Sequence, residues 1–284
     1  MCIATFKYIM TILSLLLTAN MNAKDNMNEK ELEQALIEVV YKRTMVTDTL
    51  HVDSIYKTNM LTLLAGKSAS CFYSAPRKSN DSLSVVKNLE YVQMMMKDIK
   101  AFSQASSFER EVIFKNYPAG KMTVHNRYSL ENWEYVEDWD KPIWQITDST
   151  ATILGYECVQ AITDYRGRRW IVWFTPEIPI NDGPWKLCGL PGLILEAHDS
   201  RNHYHFTAVS IKPNPKTKVV YFDYSDRLST NRIASLKERQ KALKVSIRSL
   251  MLSSGMYKID PNKIKMSNEG PSNYDFEETD YPHD

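Results

Sequence analysis

The stretch ECVQAITDYRGRRWIVWFT, residues 157–175, decides the fold of this chain. Glu157 to Thr163 and Arg169 to Thr175 both have the composition of β-strands. Between them, Asp164-Tyr165-Arg166-Gly167 is a short connection with a glycine, as tight hairpin turns require. These residues predict a β-hairpin, and Leu154-Gly155-Tyr156 predicts a turn just before it.

A proline-rich loop follows the hairpin. Pro176, Pro179 and Pro184 remove three backbone donors, so we expect an ordered surface loop or a lid and no central strand. The loop leads into WKLCGLPGLILE, residues 185–196, where two glycines flank Leu-Pro and predict a fixed turn before a buried strand. We expect the working surface between Pro176 and Pro191. Its predicted contact residues are Trp185, Gly189, Leu190, Pro191 and Gly192.

The chain before this region predicts more strands and one helix. Three strands are expected at Ala35 to Val46, Lys57 to Leu64 and Ser70 to Ser74, although Glu29 to Val40 could begin as a helix. From Asp81 or Ser82 to about Gln104, apolar residues recur every three or four positions and predict an amphipathic helix. Short alternating segments follow, at Glu111 to Phe114, Lys121 to Arg127, Tyr135 to Trp139 and Ile143 to Ile146.

The C-terminal region predicts a second amphipathic helix, capped by Ser229 or Thr230 and ending near Leu252. Its polar face is basic, which would suit peripheral contact with anionic lipid but is more typical of a solvated face. Residues 259–284 are polar and contain the acidic run Asp275 to Asp280, which predicts a disordered tail.

Composition excludes several classes of protein. The 284 residues carry 35 Lys and Arg against 34 Asp and Glu, so the chain lacks the excess positive charge that nucleic-acid binding needs. Charged residues make up 24% and hydrophobic residues 43%, enough to bury a core. The nine glycines form neither of the common phosphate-binding loops, which disfavours nucleotide chemistry.

The first 23 residues have the features of a signal peptide. Lys7 precedes an apolar run from Tyr8 to Ala19 that is too short to span a bilayer as a mature helix. Cleavage after Ala23 or Ala19 would leave small residues at the cut; the alternative is an uncleaved N-terminal helix. We expect export to the periplasm or beyond, no transmembrane helix in the mature chain, and a single domain over residues 24–258.

Three cysteines remain in the predicted mature chain: Cys71, Cys158 and Cys188. An odd number allows at most one intramolecular disulfide, and Cys158 with Cys188 is the favoured pair because both lie in the densest strand-forming region. The alternative is three unpaired thiols. No local Cys/His signature indicates a nucleophilic cysteine.

The chain resembles the GLPGLI family of exported envelope proteins. Gly189 to Ile194 spells that motif in full. Around it stand Gly155-Tyr156-x-Cys158-x-x-Ala161, Trp170-x-x-Trp173-Phe174-Thr175, Ile178-Pro179 and Gly183-Pro184. The resemblance is strong from Trp144 to Phe206 and implies compartment and fold more than chemistry. By analogy, it suggests the curved half-barrel of lipoprotein carriers that hold apolar ligands. A function inferred from such a shared fold rests on association alone.

The sharpest local chemistry lies in the next hairpin. With Asp199-Ser200-Arg201-Asn202 as its loop, His198 faces His203 and Glu196 faces His205. Glu196, His198, His203 and His205 then share one face and could bind zinc or copper. The alternative is a solvated polar face. No other cofactor is expected.

Two common hydrolase signatures are absent from the sequence. Neither Gly-x-Ser-x-Gly nor His-Glu-x-x-His occurs, although triads on unrelated folds need no such motif. An acidic cluster is formed by Glu131, Glu134, Glu137, Asp138 and Asp140. It needs no catalytic role if these residues alternate with buried aromatic residues. The same aromatic residues could also form a platform that binds carbohydrate or peptide.

Together, these patterns predict an exported α+β protein with an antiparallel, curved, half-barrel-like sheet and one or two packed amphipathic helices. The favoured function is non-catalytic: binding or carrying an apolar small molecule, or docking an envelope protein. The alternative is a metal-binding protein or a metal-assisted hydrolase that uses the Glu196/His198/His203/His205 face, so enzymatic activity stays open.

Overall fold

A computed structural model describes residues 28–46, 49, 56–74, 111–128, 131–223, 227–244 and 276–282. The signal peptide predicted at 1–23 and the helix predicted from Asp81 or Ser82 to Gln104 lie outside these residues.

The N-terminal half forms a meander in which consecutive strands pair antiparallel. A separate strand, β1 (Asn28–Gln34), precedes it. The strands of the meander are β2 (Ile37–Val46), β3 (Tyr56–Ala65), β4 (Ser70–Tyr73), β5 (Val112–Lys115), β6 (Lys121–Tyr128) and β7 (Glu131–Asp138). The three strands predicted between residues 35 and 74 are therefore confirmed, and residues 37–40 are strand and not helix.

A second antiparallel meander follows. Its strands are β8 (Gln145–Ile153), β9 (Tyr156–Tyr165), β10 (Arg168–Thr175), β11 (Leu193–Asp199) and β12 (Tyr204–Pro213). Strand β12 pairs with β2 and joins the two meanders. Strand β13 (Lys218–Asp223) pairs with β1 in a separate ribbon, and β14 (Leu228–Thr230) lies parallel to β7.

The resulting sheet has 12 strands in the order β14-β7-β6-β5-β4-β3-β2-β12-β11-β10-β9-β8 and is not closed. One helix, α1 (Arg232–Lys244), is present among the described residues. The fold is thus β-rich, with an almost entirely antiparallel sheet; the expected α+β class with packed helices is only partly met.

The predicted hairpin is confirmed, and its turn has the expected geometry. Arg166 and Gly167 connect β9 to β10 with φ angles of 54° and 81°, and Leu154 and Gly155 connect β8 to β9 with 53° and 85°. Two successive positive φ angles define the turn type whose twist matches that of paired strands. Glycine suits the second position because it has no Cβ.

The sheet bends so that its two meanders, β2–β7 and β8–β12, come into contact; they are named here the two wings. Arg166, in the β9–β10 turn, places Nη2 2.8 Å from Oε2 of Glu137 on β7, although seven strands lie between β7 and β10 in the sheet order. A core that includes Tyr41, Trp170 and Phe206 lies between the wings. This contact fits the predicted curvature.

The strands near the middle of the sheet bury both faces, because a strand alternates its side chains. Leu63 and Phe72 point into the core between the wings. Leu64 and Cys71 point the other way, into a second cluster with Val219 and neighbouring residues of β13. The β1–β13 ribbon thus covers the outer face of β3 to β5.

The C-terminal part differs from its prediction in two ways. Asn231 caps α1, with Oδ1 accepting a hydrogen bond from the Ala234 amide at 2.9 Å, whereas Thr230 belongs to β14. Residues 276–282, named here the C-terminal segment, are ordered against the protein, with Phe276 and Tyr281 packed on Leu236 of α1. The expected disordered tail is therefore not found at these residues. Within the described ranges, no helix has the length and apolar character needed to cross a membrane.

Candidate functional site

The proline-rich loop between β10 and β11 is held from inside the protein. Lys115 on β5 is buried, and its Nζ donates hydrogen bonds to the carbonyl oxygens of Gly183 at 2.8 Å and Leu187 at 3.3 Å. It also pairs with the carboxylate of Asp182. One buried ammonium thus holds Asp182, Gly183 and Leu187, so this part of the predicted loop is ordered against β5.

The predicted contact surface is only partly exposed. Trp185, Leu190 and Gly192 are buried, so they cannot serve as an open docking surface. Gly192 must be glycine, because a Cβ there would lie 2.1 Å from a backbone oxygen of β10. Gly189 and Pro191 are exposed and border a groove of about 660 Å³. Its lining residues are Leu36, Gly66, Lys67, Pro179, Ile180, Asn181, Gly189, Leu190 and Pro191.

Lys186 is the centre of a buried charge network between the wings. Its side chain is 0% exposed, and Nζ lies 2.7 Å from Glu137 and 2.7 Å from Glu278. It also donates to the Tyr135 hydroxyl at 3.0 Å. Burial alone would lower the pKa of Lys186, but the neighbouring carboxylates hold it well above its usual value. The ammonium therefore stays charged.

The C-terminal segment supplies much of the negative charge in this network. Glu277 pairs with Arg43 of β2 at 2.7 Å, and Glu278 pairs with Arg232 of α1 at 2.7 Å. Arg232 also pairs with Asp280. The space that holds the segment is named here the basic cleft. Its basic residues are Arg43, Arg166, Arg168, Lys186 and Arg232.

The basic cleft also binds the main chain of the segment. Arg168 donates two hydrogen bonds to the carbonyl oxygen of Phe276, at 2.9 and 2.6 Å. The Thr279 amide donates to the carbonyl of Arg166 at 2.9 Å, and the Thr279 hydroxyl donates to that of Gly167 at 2.9 Å. The segment is thus held by backbone contacts as well as by charge.

These residues were not identified from the sequence as a site. Arg43, Arg168, Lys186 and Arg232 are distant in the chain, and only the fold brings them together. A usable signal is a single charge in an apolar run: Lys186 follows Trp185, and both Lys115 and Lys186 are buried beside paired anions. Such isolated charges indicate buried ion pairs.

The β11–β12 hairpin has a different register from the one predicted. His198 faces His205, and Glu196 faces Thr207, so the predicted pairings of His198 with His203 and of Glu196 with His205 are wrong. Asp199 closes the longer loop, because its Oδ1 accepts the Tyr204 amide at 2.8 Å.

The same loop moves His203 away from the predicted metal face. His203 is buried, and its Nδ1 lies 3.5 Å from Nη1 of Arg168, beside the basic cleft. The other three residues remain together on the open face.

Glu196, His198 and His205 each offer one donor atom, and these atoms lie within 4.8 Å of one another. His205 Nε2 is 3.1 Å from Glu196 Oε1. The hydrogen bond to His205 lowers the pKa of Glu196, while burial and the neighbouring His205 lower the pKa of His198. This is the arrangement of ligand types on which the predicted zinc or copper site depends.

Two members of the acidic cluster, Glu134 and Glu137, join different polar networks. Glu137 joins the basic cleft, whereas Glu134 meets His125, Tyr221 and Arg227 beside the β1–β13 ribbon. Burial alone would raise the pKa of Glu134, but the hydrogen bonds of His125 and Tyr221, with the charge of Arg227, lower it to about 2. Paired in this way, both carboxylates have structural partners.

The three cysteines are free and buried, so the disulfide predicted between Cys158 and Cys188 is not formed. Cys158 lies on β9, while Cys188 lies in the loop beneath it, where its carbonyl accepts the Trp144 indole N–H at 2.8 Å. Burial raises the pKa of each of these two thiols to about 11, which keeps them protonated and unreactive.

Comparisons with known proteins point to one family. The family model described as "N-glycanase peptide, N-terminal domain" matches residues 74–237, more than half of the chain. No curated protein sequence matches. Two solved structures of PNGF-II, in space groups P21 and C2, are each 15% identical over 75% of this chain, with TM-scores of 0.48 and 0.47. This chain covers 34% of each of those chains, about a third of their length.

Proposed function

The chain belongs to the family of N-glycanase peptide N-terminal domains, and from that premise we propose that it is a non-catalytic module that docks an acidic peptide in its basic cleft. In this structure, the chain's own C-terminal segment occupies the cleft. The observation that carries the proposal is this occupancy: an acidic stretch without helix or strand is held by buried cations from both wings of the sheet and from α1.

The charge of the cleft supports an acidic ligand. The side chains of Arg43 and Lys186 are 4% and 0% exposed, and each meets a carboxylate of the C-terminal segment. A buried cation without a counter-ion is costly, so any occupant that replaced the segment would have to bring carboxylates. The cleft therefore selects for charge.

The backbone contacts support a peptide as the ligand. Arg168 and the carbonyl group of Arg166 bind main-chain atoms of Phe276 and Thr279. Contacts to main-chain atoms do not depend on the identity of the side chains. Other acidic peptides of similar shape could make them.

The cleft favours a peptide over the apolar ligand considered from the sequence. The interior between the wings is filled by large side chains, among them Tyr41, Trp170 and Phe206, and the cleft beside them is lined by charges. The family description names an N-glycanase, so we propose that the peptide belongs to a glycoprotein partner. Export, cleavage of the first 23 residues and the resemblance to the GLPGLI family stay predictions.

The proposal can be tested by anisotropy with a fluorescein-labelled peptide that has the sequence of residues 276–282, titrated with the full chain. In wild-type protein, the tethered segment competes. Phe276→Ala removes the ring that packs on Leu236 and lies 4.2 Å from Arg239. It leaves the cleft's cations paired in the closed form and weakens only the tethered competitor. We expect this variant to bind the peptide about tenfold more tightly than wild type, which corresponds to about 1.4 kcal/mol.

Two controls separate docking from general effects. A peptide with glutamine in place of Glu277 and Glu278 should bind much less, because the ion pairs are lost. Tyr117→Ala truncates an aromatic side chain that packs on the second cluster, away from the cleft, and should leave peptide affinity at the wild-type value. If a folded Phe276→Ala protein gives no saturable signal, the proposed function is wrong.

A further inference from the structure

The outer face of the β11–β12 hairpin carries three groups that ligate metals in proteins. His198 and His205 lie directly opposite each other in the ladder, and Glu196 is two residues along β11 on the same face. Their donor atoms lie within 4.8 Å of one another. These side chains point away from the basic cleft, since Ala197 and Phe206 between them face the core.

We propose that Glu196, His198 and His205 bind one divalent transition-metal ion, zinc or copper. Two imidazole nitrogens and one carboxylate oxygen form a ligand set that both ions accept. With three protein ligands, one position of a tetrahedral zinc ion is left for water or for an external ligand. The metal-assisted hydrolysis considered from the sequence would depend on that open position.

The present geometry is close to what zinc requires. Bonds of 2.0–2.1 Å place the ligand atoms of a tetrahedral zinc ion roughly 3.3 Å apart. His205 Nε2 and Glu196 Oε1 are already 3.1 Å apart. The His198 and His205 rings have centroids 5.6 Å apart, so His198 needs only a modest side-chain rotation.

The backbone and the exposure of these residues both suit a bound ion. The ligands lie on paired strands, which fix their backbones. The side chains are only partly buried, with exposed fractions of 44% for His205 and 24% for Glu196, so an ion can reach them.

The alternative is that the three residues only form a polar face. The hydrogen bond between His205 and Glu196 already satisfies two of the groups without an ion. The two interpretations differ in what zinc does to the protein, since a polar face has no saturable affinity that depends on His198.

Isothermal titration of the full chain with zinc chloride at neutral pH tests the proposal. We expect one ion per chain, and a loss of affinity of at least about tenfold in Glu196→Gln and about a hundredfold in the double variant His198→Ala/His205→Ala, since each substitution removes a ligand of the ion. Glu157→Gln is the matched control, because Glu157 is an exposed glutamate on β9. It should bind zinc as the wild type does.

Copper binding can be followed by tryptophan fluorescence, which does not depend on the heat measured by calorimetry. Trp173 on β10 is the direct neighbour of Glu196 across the ladder, so a bound copper ion should quench its fluorescence. The quenching should be saturable and should largely disappear in Trp173→Phe and in the double histidine variant. If the double variant proves unstable, His198→Asn with His205→Gln retains the polar surface and replaces it in both assays.

The proposal is overturned if zinc affinity in a folded double histidine variant equals that of the wild type, or if neither metal gives saturable binding. It does not depend on the proposed function. The peptide cleft and the metal face lie on opposite sides of β11 and β12, so either one can fail while the other stands.

Discussion

Gly167→Ala is expected to displace the C-terminal segment from the basic cleft. A Cβ at this position would lie 2.4 Å from the Thr279 hydroxyl oxygen and 2.7 Å from the backbone nitrogen of Asp280. Real Cβ atoms do not approach backbone atoms so closely. The β9–β10 turn cannot move away from the segment, because its two strands are paired with each other. The segment must therefore move.

Gly155→Ala provides a matched control. Gly155 takes the same place in the β8–β9 turn, with a φ angle of 85° against 81° for Gly167, and a Cβ there would meet nothing within 4 Å. Both variants share the strain of an alanine at positive φ, about 1 kcal/mol. Only Gly167→Ala should affect the segment.

The magnitude follows from what the segment buries. Phe276 and Tyr281 are nearly fully buried, and each such side chain contributes roughly 1.5–3 kcal/mol. The chain entropy regained by the released segment offsets part of this loss. We therefore expect Gly167→Ala to reduce the free energy of unfolding by about 1–3 kcal/mol more than Gly155→Ala.

Urea unfolding measures that difference, and hydrogen exchange locates it. Amides of residues 276–281 should exchange about 10 to 100 times faster in Gly167→Ala than in Gly155→Ala, since each tenfold change is about 1.4 kcal/mol. Equal stability and equal exchange in the two variants would refute the close approach of Gly167 to the segment.

Three further predictions concern buried contacts. Gly192→Ala should lower the free energy of unfolding in urea by about 3 kcal/mol or more, because its Cβ would lie 2.1 Å from a backbone oxygen. Gly189→Ala, at an exposed glycine, should lower it by about 1 kcal/mol, and equal losses in the two variants would contradict the prediction. Lys186→Met removes the buried cation between Glu137 and Glu278 and should reduce the free energy of unfolding by about 3 kcal/mol, although Arg166 and Arg232 stay as partners of these carboxylates; Lys121→Met, at an exposed pair, should reduce it by less than about 1 kcal/mol. The pKa of Glu134 is lowered to about 2, so its contribution to stability is complete above its ordinary pKa near 4.5 and is lost as pH falls towards about 2. Glu134→Gln should not show this loss of stability in acid unfolding. A pH profile of stability parallel to that of the wild type would contradict the prediction.

Local patterns predicted the strands well but could not fix the register of the β11–β12 hairpin. The predicted pairing of His198 with His203 and the observed pairing with His205 differ by two residues. A shift of two leaves every side chain on the same face, so the alternation of apolar and polar residues is equally satisfied by both. The difference is set by the Asp199 side chain, which closes the longer loop.

The buried position of the C-terminal segment could not be predicted for a different reason. Its acidic composition indicates disorder when the segment is considered alone. Its partners Arg43, Arg168 and Lys186 come from three separate parts of the chain, and only Lys186 is a single charge among apolar neighbours. Composition averages over such positions, whereas burial depends on the fold that assembles them.

The near-neutral total charge conceals this assembly. The acidic residues Glu277, Glu278 and Asp280 lie near the C-terminal end, and the structure pairs them with basic residues from distant parts of the chain inside one cleft.

The C-terminal segment is a tethered occupant of the cleft, so opening of the cleft and binding of a free peptide report on one equilibrium. The apparent dissociation constant of the free peptide is its intrinsic dissociation constant divided by the fraction of open cleft. The factor by which Phe276→Ala strengthens binding of the free peptide should therefore match the factor by which it accelerates hydrogen exchange in residues 276–281. Agreement would identify the segment as a competitor for the cleft, and disagreement would mean that the peptide binds elsewhere.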